Sequence, residues 1–274
     1  MDAFKPYRVL IVAGAALACL AVLGGARALS AADQQNQDLE LAIGQEVFNE
    51  LKANVEIIES SPLYDALTPV ADAIAAAAQP RYNHPFKFYL VHEPQPNAFS
   101  TPGGNVYVVD SLLYLVKNRE ELAGTLCHEI AHTIHHDTMT LIEKEKRRLA
   151  LELGAAAVLG PTGAHVLAIA LLGKLQSLSY SRDVESRADL TGSEICAAAG
   201  FNPWGLVWLF EDFKNAEIGE IPQLLSDHPN NDNRIAALEN HFRTNPTVFG
   251  KFNPDTKSAA PFSVSKKAPV VFLR

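Results

Sequence analysis

Glu120-Glu121-Leu122-Ala123-Gly124-Thr125-Leu126-Cys127-His128-Glu129-Ile130-Ala131-His132-Thr133-Ile134-His135-His136-Asp137 decides how the rest of the chain is read. The stretch reads as one helix. His128 and His132 are four apart, so at about 3.6 residues per turn they stand one above the other on one face. Glu129 lies about 100° round from His128, still on that side. Leu122, Leu126, Ile130 and Ile134 recur every four residues on the other side and give the helix a packing face. In this HExxH arrangement two imidazoles hold Zn²⁺ and a carboxylate stands beside the metal-bound water. One ion per chain is expected, and it needs a third ligand.

The 274 residues are 48% hydrophobic and 20% charged, which suits one domain with a full core once an N-terminal segment is set aside. The formal net charge of -8 argues against nucleic acid as a partner, because phosphate binding needs a basic surface. Cys19, Cys127 and Cys196 are too few for a disulfide framework. Cys196 falls about three turns, ~16 Å, beyond Glu185 along a predicted helix. A bridge needs Cα atoms within about 7 Å, so none is expected between Cys127 and Cys196. Cysteine content therefore leaves the redox compartment open.

Lys5 and Arg8 precede an uncharged run, Val9 to Ala26, and Ala26-Arg27-Ala28 offers the small residues that a signal peptidase reads. Residues 1–30 are expected to be a signal peptide, with an uncleaved anchor as the alternative, and the protein is expected to be periplasmic or otherwise exported. Asp33 to Lys52 has the period of an amphipathic helix, and Pro62 opens another that runs to Ala78. Phe86 to Val91 and Asn105 to Val109 alternate as strands, with Asn97 to Gly104 as a loop between them. Phe99 and Tyr107 belong either to an exposed strand edge that pairs with a substrate peptide or to the core. Glu143 to Arg148 is a charge run that reads as a solvated face. Residues 149–175 are apolar but broken by Gly154, Gly160, Pro161, Gly163 and Gly173, and each half is too short to cross a bilayer. They form a helical hairpin on the core or, alternatively, a mobile flap that touches membrane. Ser181 to Ala199 is a helix. Residues 31–245 make up the expected domain, and residues 246–274 a tail whose Val270 to Leu273 could join a sheet edge.

For the third ligand, a metzincin pattern fails: its Gly position holds His135 and its final His position Thr138. His136 is too far along the rod, and His135 and His136 suit a surface helix end. Downstream, Glu185 and Asp189 lie four apart on one helix face, with small Ala188 between. Glu185 would leave the ion an open fourth position, and Asp189 would accept the second N–H of a ligand imidazole. The competing reading is a solvated salt-bridge face with Arg182 and Arg187.

Four segments in order bear on that choice: Asn97-Ala98-Phe99 with Pro102-Gly103-Gly104; His128 to His132; Ser181-Arg182 with Glu185 and Ala188-Asp189; and His228-Pro229 with Arg234-Ile235. Together they resemble the HtpX-like and BepA-like gluzincin zinc metallopeptidases, relatives of the prenyl-protein (CAAX) endopeptidases. The resemblance implies an α+β fold: a mostly helical, zincin-like metallopeptidase domain with a small β-sheet beside the HExxH helix. It implies that Glu185 is the third zinc ligand and that Asp189 supports the site. Many relatives carry a His five residues after the second zinc His; here that position is Asp137.

The chemistry expected of such a site is peptide hydrolysis with Glu129 as general base. His228 is the candidate second donor to the oxyanion, or else an occupant of the open position in a self-inhibited form; the plain alternative is a turn His before Pro229. Arg234 would orient that loop or neutralise acidic side chains, unless it is an ordinary surface residue. The substrates expected are unfolded or misassembled cell-envelope proteins, with membrane association through the N-terminal segment or the 149–175 hairpin left open. The competing function is a chaperone-like envelope factor that binds clients and uses zinc mainly as structure.

Overall fold

The computed structural model describes residues 33–54, 56–160, 162–175, 180–215 and 231–273. The leader expected at residues 1–30 and the His228-Pro229 loop lie outside them. Ala42 to Arg274 is one compact unit; of the preceding unit, Met1–Leu41, residues 33–41 are described and are helical.

In chain order the elements are α1 (33–53), β1 (Ile57–Ser60), α2 (Leu63–Ala78), β2 (Lys87–Val91), β3 (Ala98–Thr101), β4 (Asn105–Val109) and α3 (Asp110–Leu113). Then follow α4 (Arg119–Ile134), α5 (Asp137–Leu153), α6 (Ala155–Leu159), α7 (Gly163–Leu175), α8 (Arg182–Ala199), α9 (Trp204–Asn215), α10 (Asn231–Thr244), α11 (Pro246–Phe249) and β5 (Val271–Phe272). The fold is α+β and mostly helical, with one small mixed sheet. Its strand order is β3-β4-β2-β1-β5. β2 and β4 are parallel, Lys87 opposite Asn105 through Val91 opposite Val109, and the other neighbours are antiparallel.

Residues 97–104, read as a loop, contain β3. The Pro102-Gly103-Gly104 turn, with both glycines at positive φ, folds Ala98–Thr101 back onto β4. The turn signal was visible, but the four residues before it lack the alternation that marks a strand. All five residues of β4 are buried, so Tyr107 is core, while β3, with Ala98, Ser100 and Thr101 buried and Phe99 half-buried, is an end strand of the sheet. Period 2 explains the two faces. Ala98, Val106 and Val108 meet Leu122, Leu126 and Ile130 of α4 and Leu67, Val70 and Ile74 of α2. On the other face Phe99, Tyr107, Tyr89 and Phe48 form a row of rings with centroids 5.0, 5.4 and 4.9 Å apart.

Residues 120–137 are not one helix. α4 stops at Ile134, and His136 sits in the left-handed region (φ 54°), so Asp137 begins a new helix. The 149–175 stretch forms the end of α5, then α6 and α7. Val158, Leu167 and Leu171 are buried, while Leu151 is 89% and Leu153 59% exposed. Lys174 of α7 donates to Glu145 of α5 (2.5 Å), and His165 pairs with Glu46 of α1 (2.9 Å). Glu145 is thus buried within the charge run that was read as solvated. Among the described residues no helix is long and apolar enough to cross a membrane. Residues 246–274, expected as a tail, pack onto the unit: Phe249 lies in a cluster with Phe210, Leu238 and Phe242, and β5 pairs with β1.

A Cys127–Cys196 bridge, not expected from spacing, is present with Cα atoms 5.9 Å apart. The distance from Glu185 was the wrong measure. α4 and α8 cross tightly at Gly192, where an added Cβ would lie 3.0 Å from the carbonyl of Cys127. Cys196 is one turn past that crossing, so the two cysteines face each other while His128 reaches back the other way.

α9 meets the start of α4 just as tightly: a Cβ on Gly205 would sit 2.0 Å from the carbonyl oxygen of Glu120. Gly205→Ala is expected to lower stability by about 1–3 kcal/mol through forced displacement of the two helices. Gly173, in α7 with nothing within 4 Å of such a Cβ, should instead gain about 0.5–1 kcal/mol on substitution by Ala. Urea melts of both variants check the contrast; equal effects would mean that the α4–α9 contact does not limit the fold.

Candidate metal centre

The helix that carries HExxH is anchored at its start. The Asn118 side chain accepts the Glu121 N–H (2.9 Å), and the buried Glu121 carboxylate accepts the Lys117 N–H (2.7 Å). This reciprocal arrangement satisfies donors that a helix leaves open, in the manner of a capping box. The packing face then fixes the rotation of α4. With Leu122, Leu126 and Ile130 against the sheet, His128 and His132 turn towards α8, the helix against which α4 packs most extensively.

Glu185 arrives from the first turn of α8. Its carboxylate oxygens stand 3.4 Å from His128 Nε2 and 3.6 Å from His132 Nε2, and the two Nε2 atoms are 3.0 Å apart. All three side chains are buried. Donors about 2.0–2.1 Å from a tetrahedral zinc would be separated by about 3.3 Å; the two Nε2 atoms lie near that spacing, and so does the nearer carboxylate oxygen of Glu185 to each imidazole, Oε2 for His128 and Oε1 for His132. Two imidazoles and one carboxylate are also the chemical set that zinc takes in hydrolytic sites. The residues therefore fit a metal ion. Burial alone would drive a proton off His128, but Asp189 and Glu185 outweigh it and push its pKa up to about 9. A cation between these groups meets the same negative field.

Asp189 and Arg234 close one side. Asp189 Oδ1 lies 2.9 Å from His128 Nδ1. Arg234 donates from Nε and Nη2 to the two Asp189 oxygens (2.7 and 2.6 Å) and reaches Glu185 Oε2 with Nη1 (3.0 Å). Its guanidinium lies over the Phe210 ring, 4.4 Å from the centroid. Burial raises the pKa of Asp189, but the Arg234 charge wins and holds it below the usual carboxylate range. Glu185 and Asp189 are each 1% exposed and Arg234 4% exposed, so neither the solvated salt-bridge face nor the surface Arg describes this chain.

Glu129, between the two imidazoles in sequence, is buried as well. His135 bonds Thr191 (2.9 Å) and His136 packs on Tyr82 (5.7 Å between centroids). Neither belongs to the group of converging donors.

Two contacts were not anticipated. Asp137 Oδ2 lies 2.9 Å from His132 Nδ1, and its other oxygen accepts from Arg187. The Tyr180 ring stacks on His132 (4.4 Å between centroids, 16° between planes), and its hydroxyl is 3.0 Å from Thr138 Oγ1. The one signal for Asp137 was its replacement of the His common among relatives. Nothing marked Tyr180.

Comparison with known proteins adds a family to this geometry. Residues 65–241 match Peptidase family M48. The "Beta-barrel assembly-enhancing protease" of Yersinia pestis is 27% identical over 256 residues, covering 84% of this chain and 52% of that protein. The putative beta-barrel assembly-enhancing protease of Vibrio cholerae is 27% identical over 228 residues (77% of this chain, 46% of that protein). The "Mitochondrial metalloendopeptidase OMA1" of Schizosaccharomyces pombe is 31% identical over 156 residues (56% and 46%). The chain thus spans about half the length of the curated relatives it matches. With the family match spanning α2 to α10 and the HExxH helix set against the Glu185 helix, the chain belongs to Peptidase family M48.

Proposed function

We propose that this protein is a zinc-dependent endopeptidase that hydrolyses peptide bonds of unfolded or misassembled cell-envelope proteins. The observation that carries the reading is the convergence of three buried side chains from two helices, His128, His132 and Glu185, with the two Nε2 atoms 3.0 Å apart and a Glu185 oxygen 3.4 or 3.6 Å from each. A zinc ion held there would lower the pKa of a bound water towards ~7 and polarise the scissile carbonyl. The chain supplies the rest. Glu129 takes the proton of the attacking water and delivers it to the leaving amine. Asp189 and Asp137 accept the Nδ1–H groups of His128 and His132, which leaves each Nε2 lone pair for the metal. Arg234 keeps Asp189 ionised. His228 remains the proposed second donor to the oxyanion.

The substrate class rests on the relatives named for β-barrel assembly. The compartment, periplasmic or otherwise exported, rests on those names and on the Cys127–Cys196 bridge, since disulfides persist mainly in oxidising compartments. A purely structural zinc is usually closed by four protein ligands; three donors converge among the described residues.

Purified protein is expected to cleave casein, and a chelator to stop it. Glu129→Gln should keep its zinc and lose roughly 10²–10⁴ of the rate; zinc retained with the rate unchanged would remove Glu129 as the base. Glu185→Gln should instead lose zinc on dialysis. Zinc-loaded wild type that binds unfolded protein without cutting it would support the client-binding alternative. Alkylation of protein taken from its host without reductant should leave Cys127 and Cys196 unlabelled; labelling of both would contradict export.

A further inference from the structure

We propose that Asp137 and Arg187 are a second positioning pair for the metal centre, acting on His132 as Asp189 and Arg234 act on His128. The proposal rests on the zinc reading of the site and assigns its residues a role that the HExxH and Glu185–Asp189 spacings do not contain.

Geometry carries it. In a continuous helix residue 137 would lie about 140° round from residue 132 and face away from it. The left-handed turn at His136 prevents that. A non-glycine residue in this region is disfavoured by roughly 1–2 kcal/mol, so the packing around it must hold it there. The turn's effect is to fold Asp137 back, so that Oδ2 comes within 2.9 Å of the Nδ1 of His132 five residues earlier. Asp137 is 4% exposed, and as the first residue of α5 it lies where a helix favours negative charge. Its second oxygen is taken by Arg187, two residues from the ligand Glu185 on α8. Tyr180, tied through its hydroxyl to Thr138, lies flat on the same imidazole. The ring of His132 is therefore held at its Nδ1 edge by a carboxylate and on one face by a phenol. With Nδ1–H donated to Asp137, Nε2 is the metal-binding nitrogen, and the carboxylate raises its basicity.

The test is zinc affinity, measured by competition with a chromophoric chelator, together with the visible absorption of the Co²⁺-substituted protein. Asp137→Ala is expected to weaken zinc by about 10–100-fold and to alter the cobalt bands, because His132 is free to turn. Asp137→Asn keeps an acceptor oxygen and loses the charge, so it should fall between Ala and wild type. Arg187→Gln, at a half-exposed position, should weaken zinc less than Asp137→Ala does. Should Asp137→Ala give no cooperative thermal melt, Asp137→Asn and Arg187→Gln carry the test. A pair with only a structural role would lower the melting temperature of the metal-free protein and leave affinity and cobalt bands unchanged; that result overturns the proposal. Wild type that binds no zinc would overturn the metallopeptidase reading and this proposal together, whereas wild-type binding that equals the variants' overturns this proposal alone.

Discussion

Four carboxylates share one buried neighbourhood, and the rest of the structure answers to that fact. Glu129, Asp137, Glu185 and Asp189 are all nearly inaccessible to water. Removing one carboxylate from water without a partner is prohibitive, and placing four together compounds it. The chain itself returns two positive charges, Arg234 and Arg187. Counted as ionised groups, two negative charges remain, which one divalent cation would neutralise. The raised pKa of His128 expresses the same deficit, since a proton is drawn in where the field is uncompensated.

That requirement explains why α8 lies where it does. It delivers Glu185 and Asp189 from one face, and Arg187 reaches Asp137 from its side. Ala188 and Gly192 keep bulk out of the contact with α4, and the Cys127–Cys196 bridge fixes the far end of the same crossing. A small change in the angle between the helices would move Glu185 relative to the two imidazoles, and a three-donor site tolerates little of that. α10 must then be close enough for Arg234 to enter. Its guanidinium lies over Phe210 of α9, so a third helix is tied to the site through one side chain.

The metal-binding helix was legible because two periods coincide there: a four-residue chemical spacing and a four-residue apolar spacing in one stretch. Glu185 and Asp189 were legible as a pair with the same spacing, although spacing alone left a solvated face open, and only the packing of α8 on α4 closes it. The misses share a cause. The helix break at His136, the approach of Asp137 to His132 and the facing of Cys127 and Cys196 are all set by tertiary geometry. A left-handed histidine has no pattern that announces it, and a distance along one helix says little about a crossing between two. β3 was missed because a four-residue strand with three residues buried by their neighbours needs no alternation of its own.

The two imidazoles are not held alike, and the difference has electronic consequences. Arg234 is sealed from solvent and touches both Asp189 and Glu185, so its charge is little screened and pulls electron density from the carboxylate that would bind the ion. Arg187 is half exposed, so water and salt screen its charge, and His132 feels the nearby Asp137 carboxylate more fully. On an ion held there, His132 would be the stronger donor and Glu185 the weaker one. A weak carboxylate ligand would leave a bound metal more electrophilic, and a strong imidazole would keep it in place. Retention and acidity, the two demands of a hydrolytic ion, would thus be met through two arginines that differ mainly in how much water they see.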